Sequence, residues 1–185
     1  MIKIGIVLGS TRPGRKSEAV GQWILEQGRA RKDAEFEIVD IAHYKLPLLD
    51  EPIPPSMNQY QNAHTKAWAA RIATLDGFIF VTPEYNHGPS AALKNAIDFI
   101  YREWNNKAAG FVGYGALGGA RAVEQLRVVL AECQVATVRA QVGLSLFTDF
   151  ENFMTFKPGT HHGPAVNGLF DQVVSWSRAL QSLRA

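Results

Sequence analysis

Sulfur chemistry is nearly absent from this chain: Cys133 is the single cysteine among 185 residues. One thiol cannot form an intrachain disulfide, and a chain without such staples suits a reducing compartment. Neither sign of charge prevails. The formal net charge is +2, so no basic footprint points to nucleic acid. No apolar run nears the roughly 20 residues that a membrane-crossing helix requires. The opening Met1-Ile2-Lys3-Ile4-Gly5-Ile6-Val7-Leu8 is apolar but runs straight into Gly9-Ser10-Thr11-Arg12, whereas a secretory leader ends in small residues at a cleavage site. Internal repeats and low-complexity tracts are missing too. What remains is ordinary globular composition, 46% hydrophobic and 19% charged, in a length that one domain accommodates. The expectation is a cytoplasmic, single-domain protein over 1–185, with neither nucleic acid nor membrane as partner.

Strand-like and helix-like patterns alternate along the chain. Strands are expected at Ile2 to Leu8, Phe36 to Ile41, Phe78 to Val81 and Ala109 to Tyr114, with a short fifth between Thr137 and Leu146. Helices are expected from Ser17 to Arg31, Asn58 to Leu75, Pro89 onward, Gly119 to Cys133 and Asn167 to Leu183. The last carries Leu169, Val173, Trp176, Leu180 and Leu183 as an amphipathic stripe. Such alternation predicts a parallel sheet covered on both faces. The helix after Pro89 is unusual, because Ala92, Leu93, Ala96, Ile97, Phe99, Ile100, Tyr101 and Trp104 wrap most of its girth. It needs a second cover. Either the same helix of another subunit supplies it, in a homodimer or homotetramer, or the proline-rich loop from Leu46 to Pro55 does.

Ligands of open parallel sheets sit beyond the carboxyl ends of the strands, and three loops there carry chemistry. Most informative is Thr82-Pro83-Glu84-Tyr85-Asn86-His87-Gly88-Pro89, a tyrosine, amide, imidazole and carboxylate on a stiff frame, suited to holding a flat polar ring. The loop Gly9 to Ser17 suits an anion: a helix N-terminus, hydroxyls from Ser10, Thr11 and Ser17, and cations from Arg12, Arg15 and Lys16. It nearly matches a Walker A loop, but Arg15 is inserted before Lys16-Ser17 and displaces both key side chains. A single phosphate monoester fits better than a nucleoside triphosphate or a merely solvated basic turn. The third loop matches G-x-G-x-x-G at Gly113, Gly115 and Gly118. It follows the wrong strand for a dinucleotide fingerprint, with no acidic residue at the ribose distance. Its glycines would instead let backbone approach something flat, with Tyr114 beside the ring.

These residues resemble the NAD(P)H-dependent FMN reductases of flavodoxin-like fold, which include azoreductase and quinone or chromate reductase relatives. The likeness rests on PEYNHGPSAALKNAID from Pro83 to Asp98, supported by GSTR at Gly9, YGALGGARA at Tyr114 and LPLLDEP at Leu46. It implies a three-layer α/β/α sandwich around a five-stranded parallel sheet of order 2-1-3-4-5. It also implies a bound FMN that takes a hydride from NAD(P)H at N5 and passes electrons to a small acceptor: free flavin, quinone, azo compound or metal oxyanion. By the same resemblance, Ser10, Arg12 and Ser17 bind the phosphate. Pro83, Glu84, Tyr85, Asn86, His87 and Gly88 hold the ring edge and ribityl chain, and Tyr114, Gly115 and Gly118 line the other side. Family members often have a serine three residues after the arginine. Here Ser17 follows Arg12 by five, so Ser17, Arg15 or backbone takes that phosphate oxygen. His87 stands where arginine is often found.

The flavin carries the chemistry in this reading, so no residue is assigned as catalytic. His161-His162 has no third ligand at helpful spacing and reads as surface loop rather than metal site. Cys133 ends an apolar helix stripe and reads as core, as do Trp68 and Trp104 unless they meet an interface. Glu84 has the simpler option of pairing with a nearby cation. A non-enzymatic FMN electron carrier or redox sensor is the alternative, although a carrier of the flavodoxin kind is expected to be strongly acidic.

Overall fold

The computed structural model describes residues 1–184. Five strands form one parallel sheet: β1 (Ile2–Leu8), β2 (Ala34–Asp40), β3 (Gly77–Pro83), β4 (Lys107–Gly115) and β5 (Val135–Ser145), in the order β2-β1-β3-β4-β5. The helices are α1 (Ser17–Gly28), α2 (Ala63–Ala73), α3 (Ala91–Asp98), α4 (Ala120–Glu132) and α5 (Gly163–Leu180). Because successive strand side chains point to opposite faces, β3 feeds two cores. Phe78 and Phe80 join Trp68, Leu93 and Leu126 on the side of α2, α3 and α4. Ile79 and Val81 join Val20, Ile24, Leu169 and Val173 on the side of α1 and α5. Every residue of β3 and β4 is buried, as continuous apolar runs of inner parallel strands require. The expected sandwich and strand order are what the chain adopts.

Several boundaries differ from expectation for identifiable reasons. The helix after the ring-holding loop does not start in Pro89. Ser90 is its N-cap, with Oγ accepting from Leu93 N at 3.0 Å, the stronger capping chemistry. That helix ends at Asp98, and Phe99, Ile100 and Trp104 lie in the turns beyond it, all buried. Their cover comes from within the chain. Tyr44, Leu46 and Tyr60 pack on this core, and Asn95 bonds Pro47 O at 2.6 Å and Leu49 N at 3.0 Å. The girth of this segment therefore no longer asks for a second copy. Trp68 and Trp104 are core, their indole N–H groups donating to Ala96 O and Ile97 O. Cys133 is buried with them, and burial pushes its thiol up to about 11.

In α5 the buried stripe is Val166, Leu169, Phe170, Val173 and Val174, which turns Trp176 outward. One element has no counterpart in the sequence reading: an antiparallel hairpin of β6 (Phe150–Glu151) and β7 (Thr155–Phe156) after β5. Two-residue strands leave no periodicity to read.

At the opposite end of the sheet Lys107 is buried, with Nζ donating to Ile72 O at 2.8 Å above the Phe78 ring. Burial lowers its pKa from 10.5 to about 8. Between those values the unfolded chain holds a proton that the folded chain releases, so this group makes stability rise from pH 8 to 10.5. Lys107→Met should be more stable than the parent chain at pH 7 and lose that rise, since Ile72 O keeps Thr74 N and Leu75 N as donors. Urea midpoints at pH 7 and 9.5 check both points.

Candidate functional site

The polar loops meet where expected, at the carboxyl end of the sheet. After β1, Gly9 N donates to Val81 O at 2.8 Å, and a Cβ on Gly9 would stand 2.8 Å from that same carbonyl. Only glycine fits so close an approach. Ser90 Oγ donates to Gly9 O at 2.5 Å, tying the loop to the head of α3. Arg12-Pro13-Gly14-Arg15 then turns back: Arg15 N donates to Arg12 O at 3.0 Å and Gly14 has φ +68. Proline second and a left-handed glycine third are the marks of a type II turn.

This turn delivers the chain to α1 with no side chain capping the helix, so its first N–H groups remain open to an anion. Beneath them lie two buried hydroxyls, Ser17 Oγ and Tyr114 Oη, which neighbour each other and bond to no other group. Burial together with the neighbouring Tyr85 raises the Tyr114 pKa, so this phenol keeps its proton and remains a donor. Ser10 Oγ accepts from Arg12 N at 3.4 Å and meets Tyr85 Oη at 3.2 Å. The Arg12 side chain has no carboxylate partner among the described residues and is exposed.

Arg15 does different work from that expected of it. Its guanidinium donates to Asp40 Oδ1 and Oδ2 at 2.7 and 2.5 Å, to Ser10 O at 2.6 Å, and to Glu18 through Nε and Nη2. A guanidinium has five N–H donors, and all five are engaged. The bond to Asp40, joined by Glu18, raises the Arg15 pKa further. Burial alone would push Asp40 up, but Arg15 and Ala42 N outweigh it and hold the carboxyl below its ordinary value. Arg15, whose insertion spoils the Walker A spacing, thus staples the anion loop to the end of β2.

The ring-holding loop closes as a two-residue hairpin. Tyr85 N and Gly88 N each donate to the other residue's carbonyl, at 2.9 and 3.0 Å, and Asn86 and His87 have φ +50 and +67. Two positive φ values in that position define a type I′ turn. Asparagine is suited to it, whereas histidine carries strain. Its neighbours hold the strained residue. Arg121 Nη1 lies 2.7 Å from His87 Nε2, and Gln125 Nε2 donates to His87 O at 2.7 Å. Because arginine only donates, Nε2 is an acceptor and the imidazole proton sits on Nδ1.

Glu84 pairs with a cation, its simpler option. Arg121 donates to it from its backbone N at 3.1 Å, from Nε at 2.5 Å and from Nη2. The Glu84 side chain is therefore committed to α4. Arg121 and Gln125 were not identified as site residues from sequence; the sole hint was an acidic residue in need of a partner. Pro83 ends β3 opposite Tyr114, and Glu84 N donates to Tyr114 O at 3.1 Å.

The third loop corrects two expectations. Tyr114 does not lie open beside a ring: it is 5% exposed, packed among the side chains near α1, with its ring 6.3 Å from Phe150. Its glycines make room for protein. A Cβ on Gly113 would meet Gly118 O at 2.6 Å, one on Gly119 would meet Tyr114 N at 2.6 Å, and one on Gly118 would meet Gly143 Cα at 3.2 Å. The loop folds on itself and against β5, leaving Ala116 and Leu117 as its outward part. A cavity of about 340 Å3 adjoins the first loop, between Thr11, Lys45 and Leu46 and the Ala92, Asn95 and Ala96 face of α3.

His161 and His162 acquire the third partner that their spacing did not reveal. Asp149 Oδ1 lies 2.7 Å from His162 Nε2, and the ligand atoms of all three residues fall within 4.8 Å of one another. Asp149 also accepts from Ser145 N at 2.9 Å and Gly159 N at 3.4 Å. The cluster knots the segment that carries the β6–β7 hairpin.

A parallel sheet in this order, with an arginine-bearing polar loop after its first strand and a type I′ turn after its third, is a flavodoxin-like fold. The flavoenzyme NAD(P)H:(acceptor) oxidoreductase FerB of Paracoccus denitrificans has this fold, with a TM-score of 0.76 at 19% identity over 97% of this chain and 98% of its own. A family model for NADPH-dependent FMN reductases matches residues 2–149, and the chain belongs to that family. An NAD(P)H-dependent FMN reductase of Schizosaccharomyces pombe is 35% identical over 98% of this chain and 85% of its own length. A quinone reductase of Escherichia coli K12 is 31% identical over 70% of this chain and 69% of its own.

Proposed function

We propose that Ser10, Arg12, Ser17 and the open N–H groups of α1 hold the phosphate of FMN, while the Pro83 to Gly88 segment and Gly115 hold its ring and ribityl chain. One observation carries this reading: two neighbouring buried hydroxyls that bond to no other group lie beneath an uncapped helix terminus, beside a free arginine. Buried donors left unsatisfied are costly, and the acceptor oxygens of a phosphate monoester would complete them. Tyr114 contributes its hydroxyl from below, and Gly118 shapes the loop.

As a member of this family the chain is an FMN-dependent oxidoreductase with NAD(P)H as electron donor. Bound FMN supplies the transfer of two electrons from NAD(P)H to a small acceptor. The protein's own part is to bind, orient and polarise. The N–H groups of Asn86 and His87 have no backbone partner among the described residues, and they are free to stabilise negative charge on a ring held against the turn. Free flavin, quinone, azo compound and metal oxyanion are the acceptor classes compatible with an open ring face. Among the described residues no helix is long and apolar enough to cross a membrane. A reducing, cytoplasmic setting is our reading from the single cysteine. The test is direct. Purified protein should take up FMN and turn yellow, and NAD(P)H without oxygen should bleach it. Failure to take up FMN overturns the reading; yellow protein that NAD(P)H cannot bleach is a carrier instead.

A further inference from the structure

The β6–β7 hairpin and the turn that leads into it from β5 bring an unusual set of side chains to the rim of these loops. Phe147 and Phe153 are 68% and 56% exposed, and Met154 in the turn and Leu117 in the β4–α4 loop are exposed as well. The two phenylalanine rings meet edge to face, with centroids 5.5 Å apart at 85°. Each so placed leaves a face free. The hairpin is joined to both sides of the cofactor loops. Lys16 Nζ, at the end of the loop before α1, lies 3.7 Å from Met154 Sδ in the hairpin turn, and Leu146 N, in the segment leading into the hairpin, donates to Gly115 O at 3.0 Å.

The position of Phe153 is enforced. Met154 N donates to Glu151 O at 2.9 Å, and Asn152 and Phe153 have φ +51 and +58. A bulky residue with positive φ is a conformational outlier. Glycine would form this turn without strain, yet phenylalanine stands there and points outward. Below it the hairpin is fixed by Phe150 and Phe156, at 5.1 Å from each other, and by Trp23 at 5.6 Å from Phe156. The Asp149–His162 bond holds the segment that follows. Strain that the surroundings maintain, with two aromatic rings kept in solvent, marks a binding surface.

We propose that Phe147 and Phe153 form the docking platform for a planar aromatic electron acceptor of the quinone class. The proposal rests on the reading of these loops as the FMN site. Size selects the occupant. A large apolar side chain offers at most about 200 Å2, and these four are 56 to 68% exposed, so the patch presents about 500 Å2 against the roughly 800 Å2 per partner of a stable protein interface. It suits one flat ring system, gripped by offset or edge-to-face stacking. Metal oxyanions gain nothing from such a surface.

Phe147→Ala and Phe153→Asn are the variants, asparagine being chosen because it tolerates the left-handed turn. The FMN-loaded protein is assayed with NAD(P)H and either 2-methyl-1,4-naphthoquinone or ferricyanide. Binding of the non-reducible probe 2-naphthol is followed by ligand-observed NMR. The ratio of kcat/KM for naphthoquinone to that for ferricyanide should fall about 10-fold in each variant, chiefly through KM, and 2-naphthol should bind correspondingly more weakly. An unchanged ratio with unchanged naphthol binding overturns the proposal. Loss of FMN would assign the hairpin to holding the cofactor, and an altered elution volume on size exclusion would assign it to an interface between copies; either overturns it too. If the parent chain neither takes up FMN nor reduces ferricyanide, the FMN reading itself has failed, a result distinct from an unchanged ratio.

Discussion

Arg12→Ala binds FMN about 10- to 100-fold more weakly than the parent chain while unfolding at the same temperature; that is the expected result for a cation reserved for the ligand. The Arg12 side chain is exposed and has no carboxylate partner among the described residues, so removing it strands no buried charge. A charge-assisted hydrogen bond to phosphate contributes about 1.5–3 kcal/mol, and its loss appears almost wholly in affinity. Titrating apo protein with FMN, by quenching of flavin fluorescence, measures the effect. Salt should weaken binding to the parent chain more steeply than binding to the variant. Equal affinity in both would assign the phosphate to backbone donors and hydroxyls alone.

Arg15→Ala should behave in the opposite way. Arg15 and Asp40 side chains are 10% and 7% exposed and joined by two short bonds. Deleting the guanidinium leaves Asp40 buried with only Ala42 N and a distant His43 near it, and breaking such a pair costs about 3 kcal/mol. Urea unfolding should show that loss at pH 7 without any ligand. The sign with pH follows from the direction of the Asp40 shift. Its folded pKa lies below 3.8, so the stability it contributes is present above pH 3.8 and is lost as pH falls through the folded value. The variant should therefore lose the part of its acid dependence that comes from Asp40. Arg15→Met combined with Asp40→Leu should regain most of the stability, because no charge is then left unpaired. If Arg15→Ala retained full stability and lost FMN affinity alone, Arg15 would be a ligand for the phosphate after all.

The contrast between these two arginines shows where sequence stops informing. Both stand in one loop of nine residues with the same charge, and nothing local separates them. Asp40, which claims Arg15, lies at the end of another strand, and only the pairing of β1 with β2 brings it near. Strand order, by contrast, was legible, because alternating apolar runs and helical stripes are local signals and the family motif fixed their arrangement. The Gly9 to Ser17 and Pro83 to Gly88 loops were equally legible as a pair, since both follow strands that neighbour each other in the sheet. Tyr114 was misplaced because a tyrosine in a glycine-rich loop looks exposed. Its position in the pleat sends it inward, towards α1. The hairpin after β5 was missed altogether, its strands being too short to show a period.

The loops of this site are knitted to one another by the protein alone. Gly9 is bound to Val81 and Ser90, Ser10 to Tyr85, Glu84 to Arg121, and Leu146 to Gly115. Loops tied to one another by so many internal bonds have little chain entropy to surrender when a ligand arrives. Capture should then proceed at the ordinary pace of diffusion and orientation, with no slow ordering phase in stopped-flow traces. How long a guest stays, and hence whether it behaves as a resident or a visitor, is decided almost entirely by its rate of departure.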